Sequence, residues 1–167
     1  MPRKASTARP AKRFRYPAEQ SIGHQVRWAH RALQRELEEQ IRPYGITTGM
    51  WYFLRALWEE DGLSQRELSD KVGTTEPTTV AALHAMEKRG LVTRVANTDD
   101  RRKSNIYLTP PALELRELLL PHAREVNRIA GAGISAADIN ALKRILTRLR
   151  ANLAAAHEKR VKSRSTP

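Results

Sequence analysis

The stretch that most constrains the fold of this chain runs from Leu63 to Pro110. It opens with the string Ser-Gln-Arg-Glu at 64–67, in which Ser and Glu three apart can satisfy each other's free backbone amides at a helix start. A short helix is predicted from Gln65 to about Val72, and Gly73 can take the left-handed conformation that ends a helix. Thr75 is suited to cap a second helix that has a proline in its first turn. Two helices joined by a short turn with a glycine indicate a helix-turn-helix.

A β-hairpin is predicted directly after the second helix. That helix ends at Gly90, and the apolar pattern then changes to alternation every two residues in the runs 91–95 and 105–108. The residues between the runs, 97–104, form a polar turn with three consecutive cations. A helix-turn-helix followed by a basic hairpin is a winged helix, a module that docks a helix in the DNA major groove.

The string from Thr48 to Thr109 resembles the MarR family of bacterial transcription regulators, and a weaker match extends over about 22–153. The residues that carry the resemblance lie in both helices, the wing and the strand end: Ser64-Gln65-Arg66-Glu67-Leu68-Ser69, Thr75-Glu76-Pro77-Thr78, Leu83, Met86-Glu87-Lys88-Arg89-Gly90-Leu91-Val92, Asp99-Asp100-Arg101-Arg102 and Leu108-Thr109-Pro110. Two positions depart from the family pattern. Asn97 stands where the wing usually begins with Asp, and Ala112 stands where a Gly usually follows the Leu-Thr pair.

The charge of the chain favours a polyanionic partner. The 167 residues include 30 Lys and Arg against 18 Asp and Glu, which gives a net charge of +12 and a pI near 10.7. Such a field favours nucleic acid or an anionic membrane. A membrane partner is not expected, because no run approaches the roughly 18 apolar residues of a membrane helix and no signal peptide opens the chain. A cytoplasmic protein is therefore predicted. The absence of cysteine excludes disulfides and thiolate metal sites, and no cofactor or metal is expected.

The predicted architecture is mainly α with a small β-hairpin wing. Residues 1–20 form a basic flexible arm, 21–156 a winged-helix domain with its core at 63–109, and 157–167 a basic tail. The first and last helices carry apolar residues at spacings of three and four that the winged module does not need. A second copy of the chain can bury these faces, and the resemblance implies that the terminal helices form a homodimer. Two-fold symmetry then predicts double-stranded DNA with palindromic half-sites about one helical turn apart.

The second helix of the helix-turn-helix has an apolar side, with Thr79, Leu83 and Met86, and an opposite side suited to DNA. Val80 and Ala81 replace residues that are more polar in most family members, so they suit contacts with thymine methyl groups. The resemblance assigns Arg102 to the minor groove and Asp100 to bracing of the wing. The candidate DNA-binding residues are Ser64, Gln65, Thr75, Glu76, Pro77, Thr78, Val80, Ala81, His84, Lys88, Arg101, Arg102 and Lys103. His84 can equally be a solvated surface residue.

The resemblance also implies a small, often aromatic and anionic effector near the first two helices. The candidates are aromatic and cationic side chains: His24, Arg27, Trp28, Arg31, Trp51 and Arg55. An aromatic wall beside a cation suits an aromatic carboxylate. Two alternatives stay open: the tryptophans belong to the core, or the arginines serve a larger acyl-CoA-type ligand.

An enzyme is not predicted. None of the five histidines has a partner four residues away, and no phosphate loop or nucleophile elbow is present. The sequence therefore predicts a homodimeric DNA-binding regulator. It is expected to repress from a palindromic operator and to leave that operator when a small ligand binds. The alternative is a non-specific architectural DNA-binding protein, for which high charge and basic tails are enough.

Overall fold

The computed structural model describes residues 17–97 and 104–164. Most of the basic arm and the wing residues Asp100, Arg101, Arg102 and Lys103 lie outside the described residues, so their roles stay predictions. The described chain divides into two compact units, which fall within Met1–Leu113 and Glu114–Pro167.

Six α-helices and three short strands are present in the part of the chain that the structure describes. In chain order they are α1 (Ile22–Ile41), α2 (Thr48–Glu59), β1 (Leu63–Ser64), α3 (Gln65–Val72), α4 (Glu76–Lys88), β2 (Val92–Ala96), β3 (Ser104–Leu108), α5 (Pro110–Ala130) and α6 (Ala136–Arg164). Short 3-10 turns occur at Ala18–Gln20 and Arg42–Tyr44. The predicted fold class, mainly helical with a small wing, is confirmed.

Helix α2 begins at Thr48. The Thr47 hydroxyl accepts a hydrogen bond from the Met50 amide at 3.2 Å and so serves as the N-cap. The carboxylate of Glu38, on α1, accepts a second bond from the Thr48 amide at 2.9 Å. Side chains from two places thus satisfy free amides at this helix end, which fixes the angle at which α2 leaves the turn.

The wing contains a third strand that the sequence did not predict. Strand β3 lies in the middle of an antiparallel sheet in the order β1-β3-β2, with Leu63 opposite Ile106. Strand β1 is only two residues long, too short to produce an alternating pattern. It attaches the start of the helix-turn-helix directly to the wing.

Strand β2 begins one residue later than predicted because Leu91 closes the preceding helix. The Leu91 amide donates to the Met86 carbonyl at 3.0 Å, and Gly90 takes a left-handed conformation with φ 66°. This arrangement is the common glycine-dependent helix ending. The sheet ladder therefore starts with Val92, which lies opposite Leu108.

The core of the first unit is centred on α2, which packs against α1, α3, α4 and β3. Its largest fully buried side chains come from these elements and from the turn before α2, which supplies Ile46; the others are Ile41, Leu54, Leu57, Leu68, Leu83, Met86, Ile106 and Thr79. The indole Nε1 of Trp58 donates to the Ala112 carbonyl at 2.9 Å, which ties α2 to the first turn of α5. Ala112, the position that departs from the family pattern, is itself fully buried.

The second unit contains most of α5 and all of α6. Helix α5 continues through Pro121, and the turn after it includes Gly133 with φ 78°. Ser135 caps the start of the next helix, because its Oγ accepts from the Asp138 amide at 3.1 Å. Helix α6 differs from the predicted tail boundary, since it continues beyond residue 156 to Arg164. The sequence favours this extension, because residues 154–156 are three consecutive alanines and residues 157–166 contain no Gly or Pro.

Within the described ranges 17–97 and 104–164, no helix has the length and apolarity needed to cross a membrane.

Candidate nucleic-acid interface

The start of α3 is fixed by the predicted capping box. The Ser64 amide donates to Glu67 Oε2 at 2.9 Å, and the Glu67 amide donates to Ser64 Oγ at 3.3 Å. Ser64 also belongs to β1, which pairs with Asn105 in the wing. One residue therefore ends a strand and begins a helix. The side chain of Gln65, the first residue of α3, is held at the boundary between the wing and the helix-turn-helix.

The turn between α3 and α4 is closed by Gly73 and Ser69. Gly73 has φ 73° and ψ 40°, a left-handed conformation that side chains disfavour. Its amide donates to the Ser69 carbonyl at 2.9 Å, and the Ser69 hydroxyl donates to the Thr74 carbonyl at 2.9 Å. Ser69 is buried, so its hydroxyl is satisfied within the turn. These bonds set the angle between the two helices.

The first turn of α4 is organised by threonines. Thr75 is the N-cap, and its Oγ1 lies 2.9 Å from the Thr78 hydroxyl and 3.5 Å from the Thr78 amide. The Thr79 hydroxyl donates to the Thr75 carbonyl at 3.1 Å, which satisfies a buried polar group. Glu76 places an acid where the helix dipole favours negative charge.

Helix α4 separates an anchoring side from an exposed side. Thr79, Leu83 and Met86 are fully buried and hold the helix on the core of the first unit. All the candidate DNA-contacting residues of this helix are exposed: Glu76, Pro77, Thr78, Val80, Ala81, His84 and Lys88. Val80 is 44% exposed, a high value for an aliphatic side chain in a helix that is otherwise anchored. This face of α4 is therefore accessible from solvent.

A cleft of about 540 Å³ lies between the starts of α3 and α4 and the base of the wing. Its lining side chains are polar or charged, and they are Ser64, Gln65, Arg66, Glu67, Asp70, Glu76, Arg94 and Ser104. Both signs of charge are present, so the cleft as a whole is not a simple anion site.

Arg94 and Glu87 form a contact in this region that sequence reasoning missed. Arg94 Nε lies 2.8 Å from Glu87 Oε1, and Arg94 Nη1 donates to Gln65 Oε1 at 3.3 Å. The signal available in the sequence is that Arg94 is the one charged residue of the predicted strand 91–95. Nothing in the sequence indicates that its partners come from two different helices.

The base of the wing is closed by an amide pair. Asn97 Nδ2 donates to Asn105 Oδ1 at 3.0 Å, so the residue that replaces the family Asp makes a neutral bond across the hairpin. The Leu108 amide, on the central strand, donates to Asp61 Oδ1 at 3.0 Å. The strands that carry the basic turn are thereby fixed to the first unit.

The candidate effector residues are divided by the structure. His24 and Trp28 share a face of α1 with ring centroids 5.9 Å apart, and Trp28 is 54% exposed. Trp51 is buried instead and packs at 5.6 Å against Trp58 in an edge-to-face pair, as expected for a core residue. The remaining candidates, Arg27, Arg31 and Arg55, are exposed, and Arg55 pairs with Glu59 at 3.3 Å.

A ring contact between α1 and α2 was not predicted. The rings of His30 and Tyr52 are stacked at 6.5 Å, and the Tyr52 hydroxyl lies 3.5 Å from His30 Nε2. Burial raises the pKa of Tyr52, and a hydrogen bond with Gln34 opposes that effect. Tyr52 therefore keeps a neutral hydroxyl at physiological pH. The two residues are 22 positions apart, so no local pattern points to their contact. No group of three or more His, Asp or Glu in the described ranges is placed to hold a metal ion.

A helix-turn-helix with an anchored, outward-facing second helix and a three-stranded wing defines a winged-helix DNA-binding protein. The sequence model of the MarR family matches residues 46–104. The solved transcriptional regulator PA3341 is 31% identical, with 81% of this chain and 99% of that chain covered at a TM-score of 0.73. A MarR transcriptional regulator from Methanosarcina mazei Go1 is 27% identical, with coverage of 81% and 97% and a TM-score of 0.75. The chain belongs to the MarR family of winged helix-turn-helix transcription regulators.

Another similar structure is BpsR from Bordetella bronchiseptica, a protein whose DNA binding is regulated by 6-hydroxynicotinic acid. It is 21% identical, and the alignment covers 81% of this chain and 96% of that chain with a TM-score of 0.75. At this identity the likeness concerns the fold alone. Family membership makes this chain a DNA-binding transcription regulator and not an enzyme.

Proposed function

We propose that this regulator is a homodimeric repressor that binds a palindromic operator and is released by a small ligand. The observation that carries operator binding is the division of α4, which is anchored through Thr79, Leu83 and Met86 while its opposite face is exposed. An anchored helix presents its side chains in a fixed register, which direct readout of base edges requires. Basic residues of the wing then add the electrostatic component.

Dimerisation is supported by apolar side chains that each unit leaves exposed. Leu142, Ile145 and Leu153 on α6 are 50%, 62% and 60% exposed. In the other unit, Ile22 and Val26 on α1 are 63% and 41% exposed. Apolar rows on long helices are a typical homodimer interface. A symmetric dimer presents two copies of α4, with half-site centres about 34–36 Å apart.

A small effector is supported by the exposed Trp28 and its ring contact with His24. An exposed indole beside cationic residues of the same helix suits a flat, anionic molecule. Aromatic acids, a class that includes the 6-hydroxynicotinic acid to which BpsR responds, are the first candidates. Acyl-CoA thioesters, which are larger anions, are the second class.

Selection from random duplexes tests operator recognition. Purified protein should enrich an inverted repeat whose half-sites are centred about 10 base pairs apart. Fluorescence anisotropy should then give an affinity for the selected duplex at least about 10³-fold above a random duplex at the same salt. Equal affinity for both duplexes would instead support a non-specific architectural protein, for which the net charge of +12 is sufficient.

Release by ligand is tested on the complex with the selected duplex. Aromatic acids and acyl-CoA thioesters are titrated against the bound complex, and release is followed by anisotropy. A responding compound should lose potency with Trp28→Ala and keep it with Trp58→Phe, because Trp58 lies on α2, is half-buried and is bonded to Ala112. Equal responses in both variants would exclude the face of α1 as the ligand site.

A further inference from the structure

Arg94 connects three elements of the winged module through one guanidinium group. Its backbone lies in β2, opposite the buried Ile106 of β3. Its Nε reaches Glu87 in the last turns of α4 at 2.8 Å, and its Nη1 donates to Gln65 at the start of α3 at 3.3 Å. A rotation of α4 relative to the wing, or of α3 relative to either, must break at least one of these contacts.

The environment of this group favours a fixed geometry over a mobile surface ion pair. The side chains of Arg94 and Glu87 are only 30% and 27% exposed. The planar guanidinium donates in two directions at once, which a lysine ammonium on a flexible stem does not reproduce with the same geometry. The Glu87 carboxylate also compensates the charge of Arg94, so this cation is less available to a DNA phosphate than an unpaired one.

The contact between Arg94 and Gln65 determines which end of the Gln65 side-chain amide is free. The Gln65 carbonyl oxygen accepts from Arg94, so the NH₂ group is left as the donor. A DNA phosphate only accepts hydrogen bonds, and it therefore requires the NH₂ end. Without Arg94, the two ends of the amide can exchange, and the carbonyl oxygen then faces the phosphate in part of the population.

We propose that Arg94 is a positioning residue for operator recognition, which orients the Gln65 amide towards the DNA backbone and keeps the wing in register with α4. This inference rests on the operator binding proposed above. It assigns Arg94 no base contact of its own. The expected consequence of losing it is reduced discrimination between operator and random DNA, since phosphate contacts fix the register on which base contacts depend.

The test measures affinity for the selected operator and for a random duplex over a series of NaCl concentrations. The variants are Arg94→Lys, which keeps the charge and the pairing with Glu87, Gln65→Ala, and the two combined. Arg66→Gln is the control, because Arg66 is an exposed cation that lines the same cleft. Circular dichroism on each variant verifies that the helices are intact.

Arg94→Lys should weaken operator binding about tenfold, the cost of one hydrogen bond with a charged partner, and random-duplex binding by a smaller factor, because only the operator complex also loses the register of its base contacts. The salt slope should stay unchanged, because Gln65 is neutral and Lys keeps the charge. Gln65→Ala should weaken operator binding by a similar factor. The combined variant should lose no more operator affinity than the single variant that binds the operator less tightly, because Arg94 acts through Gln65. Arg66→Gln should leave the ratio of operator to random affinity unchanged.

Three results would overturn the inference while leaving operator binding intact. They are wild-type operator affinity in Arg94→Lys, an equal loss on both duplexes with a lower salt slope, and additive losses in the combined variant. The second result would make Arg94 a direct phosphate contact. If wild-type protein does not distinguish the two duplexes, operator recognition itself fails and this inference fails with it.

Discussion

The winged module and helix α6 bury their apolar residues to very different extents. In the module, Leu68, Leu83, Met86 and Ile106 are fully buried, and each helix start is capped by a side chain. Helix α6 has 29 residues, and none of them is buried in the single chain. A module with its own core can hold a recognition helix without a partner. A long helix with an exposed apolar row would gain stability from the proposed partner, because burial contributes about 25 cal/mol per Å².

The largest expected effect comes from disrupting the dimer interface proposed for α6. Leu153→Glu places a charge on the apolar row and should convert a dimer into a monomer at micromolar concentration, with a loss of operator affinity of about 100-fold or more. Sedimentation velocity and anisotropy measure the two quantities. Thr147→Glu is the control, since Thr147 is an exposed polar residue of the same helix.

One outcome would contradict the proposed interface. A Leu153→Glu protein that sediments as wild type and binds operator normally would show that the apolar row of α6 is not an interface. The comparison would then rest on burial in the module alone.

Leu83→Ala tests the other side of the comparison. Leu83 is fully buried on the anchoring side of α4, so its truncation should lower the free energy of unfolding by about 2–5 kcal/mol, independently of protein concentration. Urea denaturation at two protein concentrations measures this. Val80→Ala, on the exposed side of the same helix, should change stability by less than about 0.5 kcal/mol. Comparable losses in the two variants would contradict the division of α4 into an anchoring and an exposed side.

Two glycines with the same backbone conformation give a finer test of packing within the module. Gly62 and Gly73 have φ 76° and 73°, so a side chain is disfavoured at both. A Cβ at Gly62 would lie 2.8 Å from the Tyr107 ring, whereas a Cβ at Gly73 meets no atom within 4 Å. We expect Gly73→Ala to cost about 1 kcal/mol and Gly62→Ala about 2–3 kcal/mol, measured by urea denaturation. Equal costs would mean that Tyr107 moves aside freely.

Sequence patterns predicted the parts of the module that depend on local interactions. The capping box at Ser64 and the left-handed Gly73 involve residues within a few positions of each other, and both are confirmed. Contacts between distant residues were missed, such as Arg94 with Gln65 and His30 with Tyr52, because a linear pattern does not specify which elements pack together. The strand β1 was missed for a related reason, since two residues gain their strand character only from pairing with β3.

The same distinction explains the effector candidates. Trp28 and Trp51 were both effector candidates, and the sequence left open whether either tryptophan belongs to the core. The structure separates them, since one is exposed on α1 and the other packs on Trp58. Burial depends on the arrangement of whole helices, which spacing alone does not determine.

The last prediction concerns Arg102, a residue that only the sequence and the family resemblance assign to DNA. If it enters the minor groove, Arg102→Ala should cost about 1–3 kcal/mol of operator affinity, the range for one good groove contact. The loss should be greatest on operators with A·T-rich flanks, where the narrow minor groove has an enhanced negative potential. Val80→Ala should act instead at single thymine positions inside each half-site and leave the salt slope unchanged. Anisotropy on a panel of flank and half-site variants separates the two effects. Wild-type affinity in Arg102→Ala at moderate salt would leave α4, without the wing, as the DNA-contacting element of the module.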